Sequence, residues 1–158
     1  MKILEQEKLK QHLAALKNYL EETEFPSHRA AAPVQLSASE IAELQNTDSS
    51  FTEAVLGMID EKGLKDSEVY RKADVSRSVF NNVKNGHFSK GTAIALALTL
   101  ELGLEETQKL LRKGRVVLSD SFVFDKTIIY CIIHKIYEAN DVNFLLEQLG
   151  QPILREAR

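Results

Sequence analysis

Residues that start helices and residues that stop them alternate along the middle of this chain, at intervals of one short helix. Ser50, Ser76 and Ser89 each precede a helical pattern, where a hydroxyl oxygen can accept a hydrogen bond from the first turn. Glycine closes a helix without strain because it adopts the left-handed conformation. The predicted stops are Gly63, Gly86, Gly103 and Gly114. The pattern predicts five helices, over residues 51–61, 66–73, 77–84, 90–102 and 104–113.

The beginning of the chain predicts an amphipathic helix over residues 3–24, within an N-terminal segment of residues 1–24. Its apolar stripe is spaced by four, three and four residues and consists of Leu9, Leu13, Leu16 and Leu20. The stripe can pack on the chain's own core, or it can pair with the same helix of a second chain. We predict a homodimer to which this helix contributes.

A break in the helical pattern separates this helix from the rest. Pro26 and Pro33 lie in residues 25–36, which we interpret as a linker. Ser37 and Glu40 have the spacing of a capping box, and they predict a short helix over residues 37–44. The domain that begins there is predicted to continue to residue 114.

Residues 115–158 are predicted to form a C-terminal helical extension. A short extended stretch over residues 115–119 is possible, and helices are expected over residues 121–137 and 141–149, the second capped by Asn140. The predicted core side of the longer helix is formed by Phe122, Ile129, Ile132, Ile133 and Ile136. The fold prediction is therefore all-α.

The charge and cysteine content narrow the functional classes. The net charge is −3, so binding to nucleic acid would require a local basic patch. Residues 62–115 contain 11 Lys or Arg against 6 Asp or Glu, a surplus of 5. The single cysteine, Cys131, excludes an intrachain disulfide, and the sequence shows neither a signal peptide nor an apolar run that could span a membrane. A cytoplasmic location is expected.

Residues 63–86 predict a helix-turn-helix unit. A helix of about two turns, a tight turn at Asp74 and a second helix opened by Ser76 give this motif. The residues expected to lock the two helices together are Val69, Ala73, Val75, Phe80 and Val83. The residues expected to face outward on the second helix are Arg77, Ser78, Asn81 and Asn82. These side chains are types that hydrogen-bond to base edges in the major groove.

These residues, with Asn85-Gly86 and the apolar helix that ends at Leu102-Gly103, resemble the Cro and phage-repressor (XRE) family. The resemblance implies a five-helix core that binds duplex DNA. Three positions depart from the family pattern: Asp66 replaces a glutamine that touches phosphate, Tyr70 replaces a small residue, and Asp74 replaces the turn glycine. The tail more loosely resembles modules at the C-termini of bacterial proteins with varied N-terminal domains, which implies an accessory role.

The predicted function is that of a sequence-specific transcriptional regulator that binds double-stranded DNA as a homodimer. Arg77 is expected to pair with guanine, Asn81 or Asn82 with adenine, and Ser78 with a base or a phosphate. The residues expected to hold the DNA backbone are Lys72, Lys84, Asn85, His87 and Lys90.

The alternative is a non-enzymatic adaptor that uses the helix-turn-helix face to bind another protein. It is motivated by Asp66 and Glu68, which would repel phosphate at this edge. We predict no enzymatic activity, cofactor or metal: the histidines are scattered, and Cys131 lies in an apolar run typical of a core, although His134 follows three residues later.

Overall fold

The computed structural model describes residues 6–22 and 50–158, and every regular element in these ranges is helical. The α-helices are α1 (Gln6–Glu22), α2 (Phe51–Glu61), α3 (Asp66–Lys72), α4 (Arg77–Lys84), α5 (Lys90–Thr99), α6 (Leu104–Lys113), α7 (Val123–Ile133) and α8 (Ala139–Gln148). A short 3-10 helix, Leu154–Glu156, follows them. The all-α prediction is confirmed for the described ranges. The predicted linker and the predicted helix over residues 37–44 lie outside them.

The three predicted serine caps are confirmed. Ser50, Ser76 and Ser89 accept hydrogen bonds from backbone N–H groups three residues later, at 3.2, 3.0 and 3.2 Å. Gly63 and Gly86 have φ values of 65° and 83°, which is the predicted left-handed stop. Local sequence therefore specifies the starts of α2, α4 and α5 and the ends of α2 and α4.

One predicted glycine stop, Gly103, is wrong, whereas Gly114 follows the last residue of α6 as predicted but is not itself left-handed. Helix α5 ends at Thr99, Glu101 has a φ of 55°, and Gly103 instead precedes the first turn of α6. At the end of α6 the left-handed residue is Arg115, with a φ of 59°, while Gly114 has a φ of −95°. Gly114 is needed for another reason: a Cβ there would lie 2.9 Å from the Phe88 ring.

Helices α7 and α8 also differ from their predicted bounds. Lys135, with a φ of 57°, follows α7, and α8 begins at Ala139 without a side-chain cap from Asn140. Two residues placed on the core side of α7 are exposed, Phe122 by 63% and Ile133 by 55%, because they lie at its two ends. Residues 115–119 of the described chain form no strand.

A single hydrophobic core extends through the described ranges. Helix α5 lies at its centre, with every residue from Gly91 to Leu100 buried. Around it pack apolar residues of α2, α6, α7 and α8. The C-terminal extension therefore shares its core with the helices of residues 50–114.

The apolar stripe of α1 lies against the chain itself. Leu9 and Leu16 are buried, and the helix packs on α7 and α8. The Nδ1 atom of His12 lies 3.0 Å from the Tyr130 hydroxyl, which connects α1 to α7. Of the two interpretations of the stripe, the structure shows packing on the chain's own core.

The C-terminal residues are fixed to the start of α5 through Gly91. Its N–H donates to the carbonyl oxygen of Ala157 at 3.0 Å, and a Cβ at this position would lie 1.5 Å from the Leu154 carbonyl oxygen. Because any side chain would displace that backbone, the contact requires glycine. In the described part of the chain, no helix is long and apolar enough to span a lipid bilayer.

Candidate nucleic-acid interface

Helices α3 and α4 are joined by a tight turn that places α4 at the surface. Asp74 adopts the left-handed conformation, with a φ of 56°, and the N–H of Val75 donates to the Tyr70 carbonyl oxygen at 3.0 Å. Val69 and Phe80 are buried between the elements, and the half-buried Tyr70 ring lies 6.0 Å from the Phe80 ring. An aromatic contact thus occupies the place where the family resemblance implied a small residue.

The outward face of α4 is polar and exposed. Phe80 and Val83 are each 1% exposed and lock the helix from its inner side. The exposed residues on the other side are Arg77, Ser78, Asn81 and Asn82. Within residues 6–22 and 50–158, none of their side chains makes a hydrogen bond or an ion pair. Donors and acceptors are therefore available on a helix held rigidly from behind.

The acidic residues that were expected to repel phosphate have partners within this unit. Asp66 Oδ2 lies 2.6 Å from Lys84 Nζ, and the two side chains are 45% and 39% exposed. Glu68 Oε2 accepts a hydrogen bond from the backbone N–H of Lys65 at 3.1 Å. Asp66 thus neutralises Lys84, which was predicted to contact the DNA backbone. Because the ion pair is exposed, a competing anion can displace the Asp66 carboxylate.

The other residues that were predicted to contact the DNA backbone fall into two groups. Lys72, Asn85 and His87 are exposed near the ends of α3 and α4. Lys90 is half-buried instead, with its Nζ 2.8 Å from Oδ1 of Asp125 on α7. The Asp125 side chain is only 2% exposed. The structure therefore gives Lys90 a partner in the core, a role that the sequence did not indicate.

Sequence reasoning missed a basic cleft beside the end of α4. A cavity of about 480 Å³ lies between the start of α2, the end of α4 and the end of α6. Its charged lining residues are Glu53, Lys84, Lys113 and Arg115. The one signal in the sequence was that the basic surplus continues to residue 115, beyond the predicted recognition helix.

Cys131 on α7 and His134, which directly follows this helix, differ in burial, because the thiol lies in the core whereas His134 is exposed. Cys131 is fully buried, and burial, reinforced by the charge of Asp141, raises the pKa of its thiol to about 12. It therefore stays protonated at neutral pH, as expected of a core cysteine. His134 stacks on the Tyr130 ring, with 4.0 Å between centroids. Among the described residues, no group of three histidine, cysteine, aspartate or glutamate side chains could hold a metal ion.

The exposed face of α4 and the cleft beside it together offer amide groups, a guanidinium group and several cations, which are suited to bases and phosphates. Comparisons of the chain with models of protein families, with curated proteins and with solved structures found no match.

Proposed function

We propose that this chain binds duplex DNA sequence-specifically, with α3 and α4 acting as a helix-turn-helix unit of the Cro and phage-repressor type. The proposal is carried by one observation: the polar face of α4 is exposed, while its apolar face is locked into the core. A helix presented in this way fits the major groove of B-form DNA. Arg77 would read guanine, and Asn81 or Asn82 would read adenine.

The surroundings of α4 supply contacts to the DNA backbone. Lys72, Asn85 and His87 are exposed on either side of the reading face. Lys84 would exchange Asp66 for a phosphate, which costs little because their ion pair is exposed to solvent. Lys90 would contribute less, since its charge is already compensated by Asp125.

We also propose that the regulator acts as a homodimer, because one helix-turn-helix reads only a few base pairs and two half-sites give useful specificity. In the leucine stripe of α1, Leu9 and Leu16 are buried within the chain and Leu13 and Leu20 are half-buried, so the stripe does not serve as the interface in this arrangement. Ile133, at the end of α7, is 55% exposed and supplies apolar surface for a second copy.

The test is selection of bound duplexes from a random library, followed by affinity measurements on Arg77→Ala. Loss of a bidentate contact to guanine should cost about 1–3 kcal/mol at one base position and leave the other positions unchanged. Arg155→Ala removes the same charge from an exposed position of the 3-10 helix and should leave the sequence preference intact. If Arg77→Ala weakens every sequence equally, the residue does not read a base.

The second candidate function is a non-enzymatic protein-interaction module. It is favoured by Phe122, whose ring is 63% exposed beside a cavity that Pro152 and Ala157 also line. This function predicts no duplex binding tighter than the non-specific range of about 10⁻⁴–10⁻⁶ M at physiological salt. Nanomolar binding of a selected duplex would eliminate it.

A further inference from the structure

The cleft beside α4 extends positive charge beyond the reading face, chiefly through Arg115. It is lined by three cationic side chains and one carboxylate, Lys84, Lys113, Arg115 and Glu53. Lys84 is paired with Asp66 in an exposed ion pair from which an incoming anion can displace the carboxylate, and the exposed Arg115 adds positive charge that favours an anionic ligand. Lys84 and Asn85 line the cleft and also lie at the C-terminal end of the reading helix, so one ligand can contact both surfaces.

The walls of the cleft are held in fixed positions relative to one another. The Thr52 hydroxyl donates to the Val83 carbonyl oxygen at 2.6 Å, which joins the start of α2 to the end of α4. The rings of Phe51 and Phe88 lie 4.5 Å apart at the base, and Gly114 lies so close that a Cβ would be 3.2 Å from Phe51 Cγ. A preorganised cleft loses little conformational entropy when it binds a ligand.

The shape and chemistry of the cleft suit the backbone of a nucleic acid strand. Its volume of about 480 Å³ exceeds what one phosphate group needs, and it opens to solvent beside α4. Phe51 and Thr52, the first residues of α2, line it, and the N–H groups of a first helical turn have no intrahelical acceptor. They add partial positive charge to that of Arg115.

We propose that this cleft receives phosphate groups of the DNA strand that flanks the groove occupied by α4, with Arg115 as its main contact. The inference rests on the proposed function. It extends the interface to α6 and to the start of α2, neither of which the helix-turn-helix unit contains. Arg115 is exposed, and its backbone is left-handed, with a φ of 59°.

The test compares Arg115→Gln with the unchanged protein on a selected duplex and on a random duplex over a range of salt concentrations. Glutamine keeps a side chain at the left-handed position and removes only the charge. We expect affinity to fall about equally for both duplexes, and the slope of log Kobs against log salt to become shallower by about 0.9 for the one lost phosphate contact. Arg155→Gln, away from the cleft, should leave the slope unchanged.

A second variant separates binding from folding. Arg115→Gly removes the same charge but relieves the left-handed backbone, so the protein should be at least as stable as before. The slope of log Kobs against log salt should nevertheless become shallower by the same amount as in Arg115→Gln. If both variants keep the original slope while the unchanged protein binds DNA, the cleft proposal is wrong and the proposed function stands.

If the unchanged protein binds no duplex, the proposed function fails and DNA is not the ligand of the cleft. Inorganic phosphate is then the probe, titrated into ¹⁵N-labelled full-length protein. Shifts of the Gly86 and Gly114 amides that Arg115→Gln abolishes would assign the cleft to free phosphate and overturn its assignment to the DNA backbone. Unchanged amide signals would exclude phosphate recognition by the cleft altogether.

Discussion

Two lysine–aspartate pairs near α4 differ in burial far more than in distance. Lys84 Nζ lies 2.6 Å from Asp66 Oδ2, and Lys90 Nζ lies 2.8 Å from Asp125 Oδ1. The Asp66 side chain is 45% exposed, whereas that of Asp125 is 2% exposed. Water can replace either partner of the exposed pair, and phosphate can replace the Asp66 carboxylate, but a buried carboxylate that loses its lysine has no such substitute.

This difference in burial gives separate roles to Lys84 and Lys90, for which the sequence predicted the same role. Both lysines were predicted to contact the DNA backbone, and both lie at or near the end of α4. Only Lys84 can release its aspartate at little cost. We therefore assign exchangeable charge to Lys84 and a mainly structural role to Lys90.

Removal of Lys90 should produce the largest effect. Lys90→Ala leaves the Asp125 carboxylate buried with the Ser119 N–H as its remaining partner. Loss of one partner of a buried pair costs about 3–5 kcal/mol, which urea unfolding measures. Lys84→Ala is the matched control and should cost no more than about 1 kcal/mol. Equal losses for the two variants would show that burial does not distinguish the pairs.

The role of Lys90 could not be predicted from the sequence because its partner lies on α7, far along the chain. Nothing local to Ser89 and Lys90 marks the lysine as an inward-facing residue. The exposure of Arg77 and Asn81, by contrast, was predictable, since it follows from the helical period and from Phe80 on the opposite face. The exposed and buried faces of one helix could therefore be predicted from the sequence, whereas ion pairs between distant helices could not.

The second prediction concerns the same end of α5, where the C-terminal residues contact Gly91. Gly91→Ala would place a methyl group 1.5 Å from the Leu154 carbonyl oxygen, so the C-terminal backbone must move away. We expect a loss of about 1–3 kcal/mol, as for other overpacked sites. Gly57→Ala is the control, because its Cβ meets nothing within 4 Å in the middle of α2. Full stability of Gly91→Ala would show that the C-terminal contact is dispensable.

The helix stops show a second limit of sequence reasoning. At Gly63 and Gly86 the left-handed residue is a glycine, and the stop was predicted. At Arg115 and Lys135 it is not, and the next residue, Val116 or Ile136, donates its N–H back into the helix and is buried. The cost of a left-handed side chain is offset there by this hydrogen bond and by burial, which become visible only in the folded chain.

The third prediction uses a polar contact of intermediate burial, between α1 and α7. Burial lowers the pKa of His12 below its ordinary value of 6.5, and the nearby His134 lowers it further. The unfolded chain therefore binds this proton more tightly, so stability should fall as the pH drops from above 6.5 toward the lowered pKa. The measurement is the urea midpoint at about pH 7.5 and about pH 5.5.

His12→Gln should flatten this pH dependence, because the side chain no longer titrates. His87→Gln is the matched control, since His87 is exposed after α4 and makes no contact with α1. A pH dependence that persists in His12→Gln would assign the effect to another group. The α1 contact should then be sought in its leucines rather than in this histidine.

The smallest effect on stability is expected from the exposed pair itself. Asp66→Asn removes a carboxylate from an ion pair in solvent, so the free energy of unfolding should change by less than about 1 kcal/mol. The substitution should also change DNA binding, because Lys84 no longer has to give up an anion before it meets a phosphate. Affinity should rise by at most about fivefold, which corresponds to that same energy, and by a similar factor for selected and random duplexes.

Glu147→Gln, an equal change of charge on α8, is the control and should leave affinity near its original value. If Asp66→Asn weakened binding, the carboxylate would be orienting Lys84 toward the DNA, and the pair would have to be regarded as part of the interface instead of as its competitor.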